Sequence, residues 1–328
     1  MPKVSIILVI YNAAKFVKPV FDSIFAQTYK NTEVVAVING SSDGCLEMIE
    51  NGYPQVRIID PGQNLFFSKG NNLGILQTDG EFIFLVNQDM VLEPNHIENI
   101  LKVFTDPQVA AATGKILRYD FDQNQKLNII DTTGITMSKS GRGKDRGQLE
   151  EDHGQYDDQR DVFGVSGACP MYRRSALEYT KYCEHGKCEY FDELFFGYWE
   201  DVDLSWRLNT AGFKCIHVPE AIAYHGRTAG QAKGGYWHFW HYLSHHKKLS
   251  PFIRRLNYKN HILMYIKNAP YIHPAFIFRE MAMFGYVLVL ETTTLKVLPE
   301  LLRSVPKILE KRRAIKKTPL LSSRAGEI

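Results

Sequence analysis

The chain has 328 residues, 45% of them apolar and 23% charged, with a formal net charge of +3. That is room for one large α/β domain with a smaller addition; it excludes a disordered chain and a surface that attracts nucleic acid as a whole. Five cysteines stand at irregular spacings, and Met1-Pro2-Lys3 leads straight into an apolar run rather than a signal-like start, which points to free thiols in a reducing cytoplasmic compartment.

Val4–Ile10 (VSIILVI) is a continuous apolar run of the kind buried on both faces of a parallel sheet. Residues 14–27 carry apolar side chains at helical spacing: Phe16, Val17, Val20, Phe21, Ile24 and Phe25. A second strand follows over 33–38, and Asn39 to Gly44 is turn chemistry opening another helix. A third strand is expected at 56–59, a helix at 68–77 and a fourth strand at 81–86. Strand and helix alternating at this spacing predict a doubly wound α/β sheet, with ligands at the carboxyl ends of its strands. Tyr11-Asn12, Asn39 to Asp43 and Asn87 to Asp89 lie at those ends. Residues 131–161 are rich in Gly, Arg, Asp and Gln and read either as a polar flap over a site or as a solvated insertion. Order resumes from 162 to His225. Beyond Gly235 aromatic, His and Lys residues predict helices through Lys311, with a basic tail over 303–317. Residues 275–290 fall short of the roughly 20 apolar residues a membrane span needs, being interrupted by Arg279 and Glu280.

Three clusters carry chemistry. Asp89 follows an apolar strand, where a carboxylate can hold a hard cation or simply start a turn. Glu200, Asp201 and Asp203 open a helix behind Phe195, Phe196, Tyr198 and Trp199. The helix dipole accounts for one or two of those acids, but an aromatic setting would also raise a carboxylate pKa and suit a general base. His225 follows a strand-like run and precedes Gly226. Among smaller signals, Cys183, His185 and Cys188 lack the second pair a zinc site needs and read as a loop with free thiols. His238, His241, His245 and His246 read as helix surface or core, with some able to face an acceptor.

In order and spacing, these residues resemble the inverting family 2 glycosyltransferases of the GT-A fold, in particular the bacterial rhamnosyltransferase-like branch. The resemblance runs from Val4 to His225. It is carried by Tyr11-Asn12, Asn39, Ser41, Asp43-Gly44, Asn64, Gly70-Asn71-Asn72-Leu73-Gly74, Asn87-Gln88-Asp89, Ser166-Gly167-Ala168, Phe191-Asp192-Glu193, Glu200-Asp201-Val202-Asp203-Leu204, Arg207 and His225. It implies a Rossmann-like mixed sheet flanked by helices, as a GT-A domain over 1–230, with a helical C-terminal region over 231–328. The implied activity moves a sugar from a nucleoside-diphosphate donor, with dTDP-rhamnose the first candidate and UDP-hexoses next, to a glycan or polyprenyl-linked saccharide.

Residue by residue, the resemblance places Tyr11, Asn39 and Asp43 at the nucleoside, and Asn64, Asn72 and Asn87 near the nucleoside or donor sugar. Asp89 and His225 would hold a divalent cation (Mg2+ or Mn2+), Asp201 would be the general base, and Glu200 would orient the acceptor. The chain departs from the pattern at Ile38, where an Asp is common, at Asn87 and Gln88, which leave a single acid in the metal motif, and at Phe66 and Lys69, where glycines are common. Two other functions fit parts of this pattern: a degenerate carbohydrate-binding scaffold, and a sugar nucleotidyltransferase, which would want a Gly-rich basic loop near the N-terminus. The apolar stretch 276–290 and the basic tail after it match either a solvated helical cap or a region that contacts the inner face of the plasma membrane.

Overall fold

A computed structural model describes residues 1–227 and 249–317. The expected alternation is present as β1 (Val4–Ile10), α1 (Ala14–Phe25), β2 (Thr32–Ile38), α2 (Cys45–Gly52), β3 (Arg57–Ile59), α3 (Phe66–Leu76) and β4 (Phe82–Leu85). Strands β3, β2, β1 and β4 pair in parallel. Period-2 alternation sorts the side chains of β1 to two layers. Ile6, Leu8 and Ile10 pack with Phe16, Val20 and Phe21 of α1, while Ile7 packs on the other face with Ile75, Ile83 and Leu85. Gly74 is needed there, because a Cβ would lie 2.5 Å from Cγ2 of Ile7 and lift α3 off the sheet.

The chain continues through β5 (Met90–Leu92), α4 (His96–Leu101), β6 (Val109–Asp120), β7 (Gln125–Thr132), β8 (Ile135–Met137), β9 (Gly143–Asp145), β10 (Asp161–Val162), β11 (Pro170–Arg173), α5 (Arg174–Thr180), β12 (Tyr182–Glu184), β13 (Lys187–Glu189), α6 (Glu200–Thr210) and β14 (Lys214–His225). β11 runs antiparallel between β4 and β6, and β14 pairs in parallel with β6, so the sheet is mixed. The polar segment 131–161 holds the end of β7 and the β8–β9 hairpin, whose strands pair Ile135 with Asp145. The expectation of free thiols throughout is corrected at one place. Cys183 and Cys188 face each other in register across β12 and β13 and form a disulfide, while Cys45, Cys169 and Cys215 are free and buried.

Among the described residues three α-helices follow: α7 (Pro251–Asn268), α8 (Pro274–Leu290) and α9 (Leu298–Lys317). Leu263, Met264, Leu301 and Ile308 from α7 and α9 form a core with Phe195 and Val202. Ion pairs fasten this core. Lys267 reaches Asp192 at 2.7 Å and Asp203 at 2.9 Å, and Lys311 reaches Asp192 at 2.6 Å, all nearly fully buried. α8 buries only Phe276 and Val287. Its two charges turn inward: Arg279 bonds to His261 of α7 at 2.8 Å, and Glu280 lies 3.0 Å from the same ring. The outward side, with Ile277, Phe278, Met281, Phe284, Leu288, Val289 and Leu290, is exposed and uncharged. No single described helix is long and apolar enough to cross a membrane. His238, His241, His245 and His246 lie outside the described residues.

Candidate active site

The carboxyl ends of β1, β2 and β4 open onto a cavity of about 860 Å3, a size that suits a small organic ligand. Tyr11, Asn39, Asn64, Asn87, Asp89, Glu200, Asp201 and His225 all line it. Arg142, Lys144 and Asp145 of the 131–161 segment form part of its wall, and Asn257 of α7 also borders it. Asn39 and Asn64 brace each other: Asn39 Nδ2 donates to Asn64 Oδ1 at 3.0 Å, and Asn39 Oδ1 accepts from the Leu65 amide at 2.6 Å.

Two expected donor residues stand outside the cavity lining. Asn72 is buried and ties α3 to the segment before α6, accepting from the amides of Tyr190 (3.1 Å) and Phe191 (2.9 Å) and donating to the Phe191 carbonyl (2.8 Å). Asp43 is exposed and accepts from the Ala14 amide at 2.7 Å, fixing the start of α1 beside Tyr11. Gln88 explains the thin acidic motif. Its Oε1 accepts from the Tyr11 amide at 2.8 Å and its Nε2 donates to the Tyr11 carbonyl at 3.2 Å. An ionised carboxylate could make only the first of these bonds.

Asp89 and His225 meet at one side, with Asp89 Oδ1 3.2 Å from His225 Nε2. The other ring nitrogen, Nδ1, is 2.8 Å from Asp131 Oδ2, and Asp131 is also paired with Arg118 (3.1 Å) and Arg227 (3.0 Å). Burial alone would push the Asp131 carboxyl up, but the charges of His225 and Arg227 hold it down at about 2. Burial pushes the His225 imidazole down, and the carboxylates of Asp89 and Asp131 more than offset it, lifting it to about 9. The pair fits a hard cation. Bonds of about 2.1 Å set neighbouring ligands about 3 Å apart, close to the Asp89–His225 spacing. A carboxylate behind the ring is the usual support for a ligating histidine. Among the described residues no third His, Cys, Asp or Glu completes such a group.

At the start of α6, Asp201 Oδ2 accepts from the Gly167 amide at 2.9 Å and Oδ1 from the Val202 amide at 2.8 Å. A Cβ at Gly167 would press on Phe67 at 3.2 Å, so glycine lets that amide come close. Burial nonetheless pushes the Asp201 carboxyl up, to about 6. Burial, and then the neighbouring Asp201, push Glu200 well above the ordinary carboxylate range. The turn before them is strained. Phe196, Tyr198 and Trp199 sit at φ of 59°, 66° and 74°, as does Phe66 across the rim at 58°, where bulky residues rarely stand and whence strain points to function. Asn260 of α7 holds that turn, its Nδ2 within reach of the carbonyls of Phe195 (2.7 Å), Gly197 (3.1 Å) and Tyr198 (2.9 Å). Asn257 accepts from the Trp199 indole at 3.1 Å. Sequence reasoning missed Asp131, Asn257 and Asn260. The only signal for Asp131 was a polar residue closing the Ile129-Ile130 run, and α7 offered none.

This arrangement, a mixed α/β sheet whose strand ends gather an acidic helix start and an Asp–His pair, defines a nucleotide-sugar-type transferase site. The chain belongs to glycosyl transferase family 2, whose family model matches residues 5–180, and it is a glycosyltransferase of GT-A architecture. The N-acetylglucosaminyl-diphospho-decaprenol L-rhamnosyltransferase of Mycobacterium tuberculosis is 26% identical over 268 residues, covering 76% of this chain and 83% of that protein. Two solved structures share the fold at 16% identity, each covering 96% of this chain. The S. aureus TarS 1-349 complex with UDP-GlcNAc has a TM-score of 0.58 and is covered over 87% of its length. The mannosyltransferase PcManGT from Pyrobaculum calidifontis, in complex with GDP-Man and Mn2+, has a TM-score of 0.52 and is covered over 80%.

Proposed function

We propose that this enzyme transfers a sugar, with rhamnose from dTDP-rhamnose the first candidate, to a lipid-linked saccharide with inversion at the anomeric carbon. One observation carries the reading: a single cavity holds Asp201, fixed by two backbone amides and free to take a proton, together with the Asp89–His225 pair. Asp201 removes the acceptor hydroxyl proton as that oxygen bonds to the anomeric carbon and the bond to the diphosphate breaks on the opposite face. Asp89 and His225 would hold a divalent cation, Mg2+ or Mn2+, which when bound neutralises charge on the departing diphosphate. Tyr11, Asn39, Asn64 and Asn87 contact the donor directly, while Asn72 and Asp43 act through the backbone they brace. The rhamnosyl acceptor named for the mycobacterial relative supports the lipid-linked class.

In this reading residues 1–230 carry the transfer, with the 131–161 segment as one wall, and the described helices beyond residue 250 supply Asn257. Residence at the cytoplasmic face of a membrane is supported by the uncharged outward side of α8 and by the exposed Lys296, Arg303, Arg313 and Lys316 nearby in sequence. The test pairs binding with turnover. Thermal unfolding is followed with dTDP, UDP or GDP, each with Mn2+, Mg2+ or EDTA, in the parent and in Asp201→Asn. A metal-dependent shift retained in the variant, with transfer down by about 10^3-fold, is expected. Unimpaired turnover in the variant removes Asp201 from the base role.

A further inference from the structure

Two consecutive carboxylates open α6, Glu200 buried and Asp201 half-buried, both lining the cavity, yet they are satisfied in opposite ways. Asp201 has a backbone donor on each oxygen, as an anion requires. Glu200 is 6% exposed, and its Oε2 is shielded from solvent with no hydrogen-bond partner. The acidic groups that act on it are Asp201 and Asp203, and the phenols of Tyr198 and Tyr172 face it from the preceding turn and from β11. A buried anionic oxygen with no donor, beside a second anion, is the least favourable assignment available. Protonation removes that charge and gives the carboxyl a donor. That donor needs one oxygen to bond to, and Glu200 lines the cavity.

We propose that Glu200 works as a neutral acid whose carboxyl O–H donates to an oxygen of the bound sugar, leaving Asp201 alone to carry the charge and accept the proton. The helix start thus divides its labour between a positioning donor and a base. This rests on the cavity being the site of transfer, and it adds the protonation state and hydrogen-bond direction of Glu200.

The first test needs no substrate. In protein carrying 13C at the glutamate side-chain carboxyl carbon, the Glu200 resonance is the one lost in Glu200→Gln. It should sit at the shift of a protonated acid at pH 7 and move toward the carboxylate shift only in alkaline solution; a carboxylate shift at pH 7 overturns the proposal whether or not the transfer reaction is as described. The second test uses dTDP-rhamnose and N-acetylglucosaminyl-diphospho-polyprenol. Glu200→Gln keeps a neutral donor, so transfer at pH 7 stays within about threefold of the parent, and the alkaline limb that Glu200 imposes on the parent is lost. Glu200→Ala falls by about 100-fold. A Gln variant as inactive as Asp201→Asn, or an Ala variant as active as the parent, overturns it. Parent protein inactive with every donor and acceptor would count against the assigned reaction, while the resonance still decides the state of Glu200.

Discussion

Asp201 takes its character from a contest between burial, which disfavours its charge, and the amides of Gly167 and Val202, which favour it. Burial wins by enough to bring the carboxyl to about 6. In its proposed role as base Asp201 must be ionised, so transfer is expected to reach its plateau only above that value and to fall about tenfold per unit as pH drops below it. A pH–rate profile of kcat/KM in the free enzyme checks this, and an acid limb near the ordinary Asp value of about 4 would mean the site is wetter than it is here. At this scale the sequence was half legible. Asp89, Asp201 and His225 announced themselves by residue type and by lying after a strand or before a helix. Asp131 did not, because its partner His225 lies 94 residues away and nothing local distinguishes it from a turn acid. Asn72 was legible as important and was given the wrong surroundings, since an asparagine that clamps backbone looks in sequence like one that binds a ligand.

The element that decides the geometry is the turn from Phe195 to Trp199, which delivers the first residues of α6 to the cavity. Three of its residues sit at positive φ, each costing on the order of 1–3 kcal/mol, and the fold must hold them there. Asn260 does so by donating to three carbonyls from the buried side. Replacing it with Ala strands those carbonyls and should let the turn relax. Asn260→Ala is therefore expected to keep most of its nucleotide-dependent thermal shift and to lose transfer by roughly 10-fold to 100-fold, as small misplacements do. Equal loss of donor binding would show that the turn supports the whole cavity rather than the base. The strands were the easiest elements to read: β1 and β2 announce themselves by unbroken apolar runs. The β8–β9 hairpin was not read, because its strands are three residues each and β9 carries no apolar side chain to mark it.

Over the whole molecule, the described C-terminal helices have one face fastened to the segment that precedes and opens α6 and another turned away from it. The inward face is tied by Lys267 and Lys311 to Asp192 and Asp203. The outward face of α8 is apolar because its charges point in toward His261, the reverse of a soluble amphipathic helix. Flotation with vesicles containing anionic lipid is the matching measurement. The protein is expected to float at low salt, to be weakened by salt through loss of the basic contribution, and to lose binding when Phe278 and Met281 are both changed to Ser. Flotation unchanged in that double variant would move the contact off α8. Composition made an apolar, basic C-terminus visible from the start. The direction in which Arg279 and Glu280 point is a property of packing, and no single-chain pattern carries it.

Asp192 and Asp203 bracket the turn from Phe195 to Trp199. Arg207 of α6 pairs with Asp203 at 3.0 Å, but Asn257, Lys259, Asn260, Lys267 and Lys311, which also neutralise and brace that stretch, come from helices beyond His225. Residues 1–230, cut out by themselves, would therefore keep the donor-side framework but leave the turn before α6 without a backing. Exchange of C-terminal regions between members of this family is constrained in the same way: a grafted region must bring its own amide and ammonium groups to the underside of that turn, or the hybrid is expected to bind donor and transfer nothing.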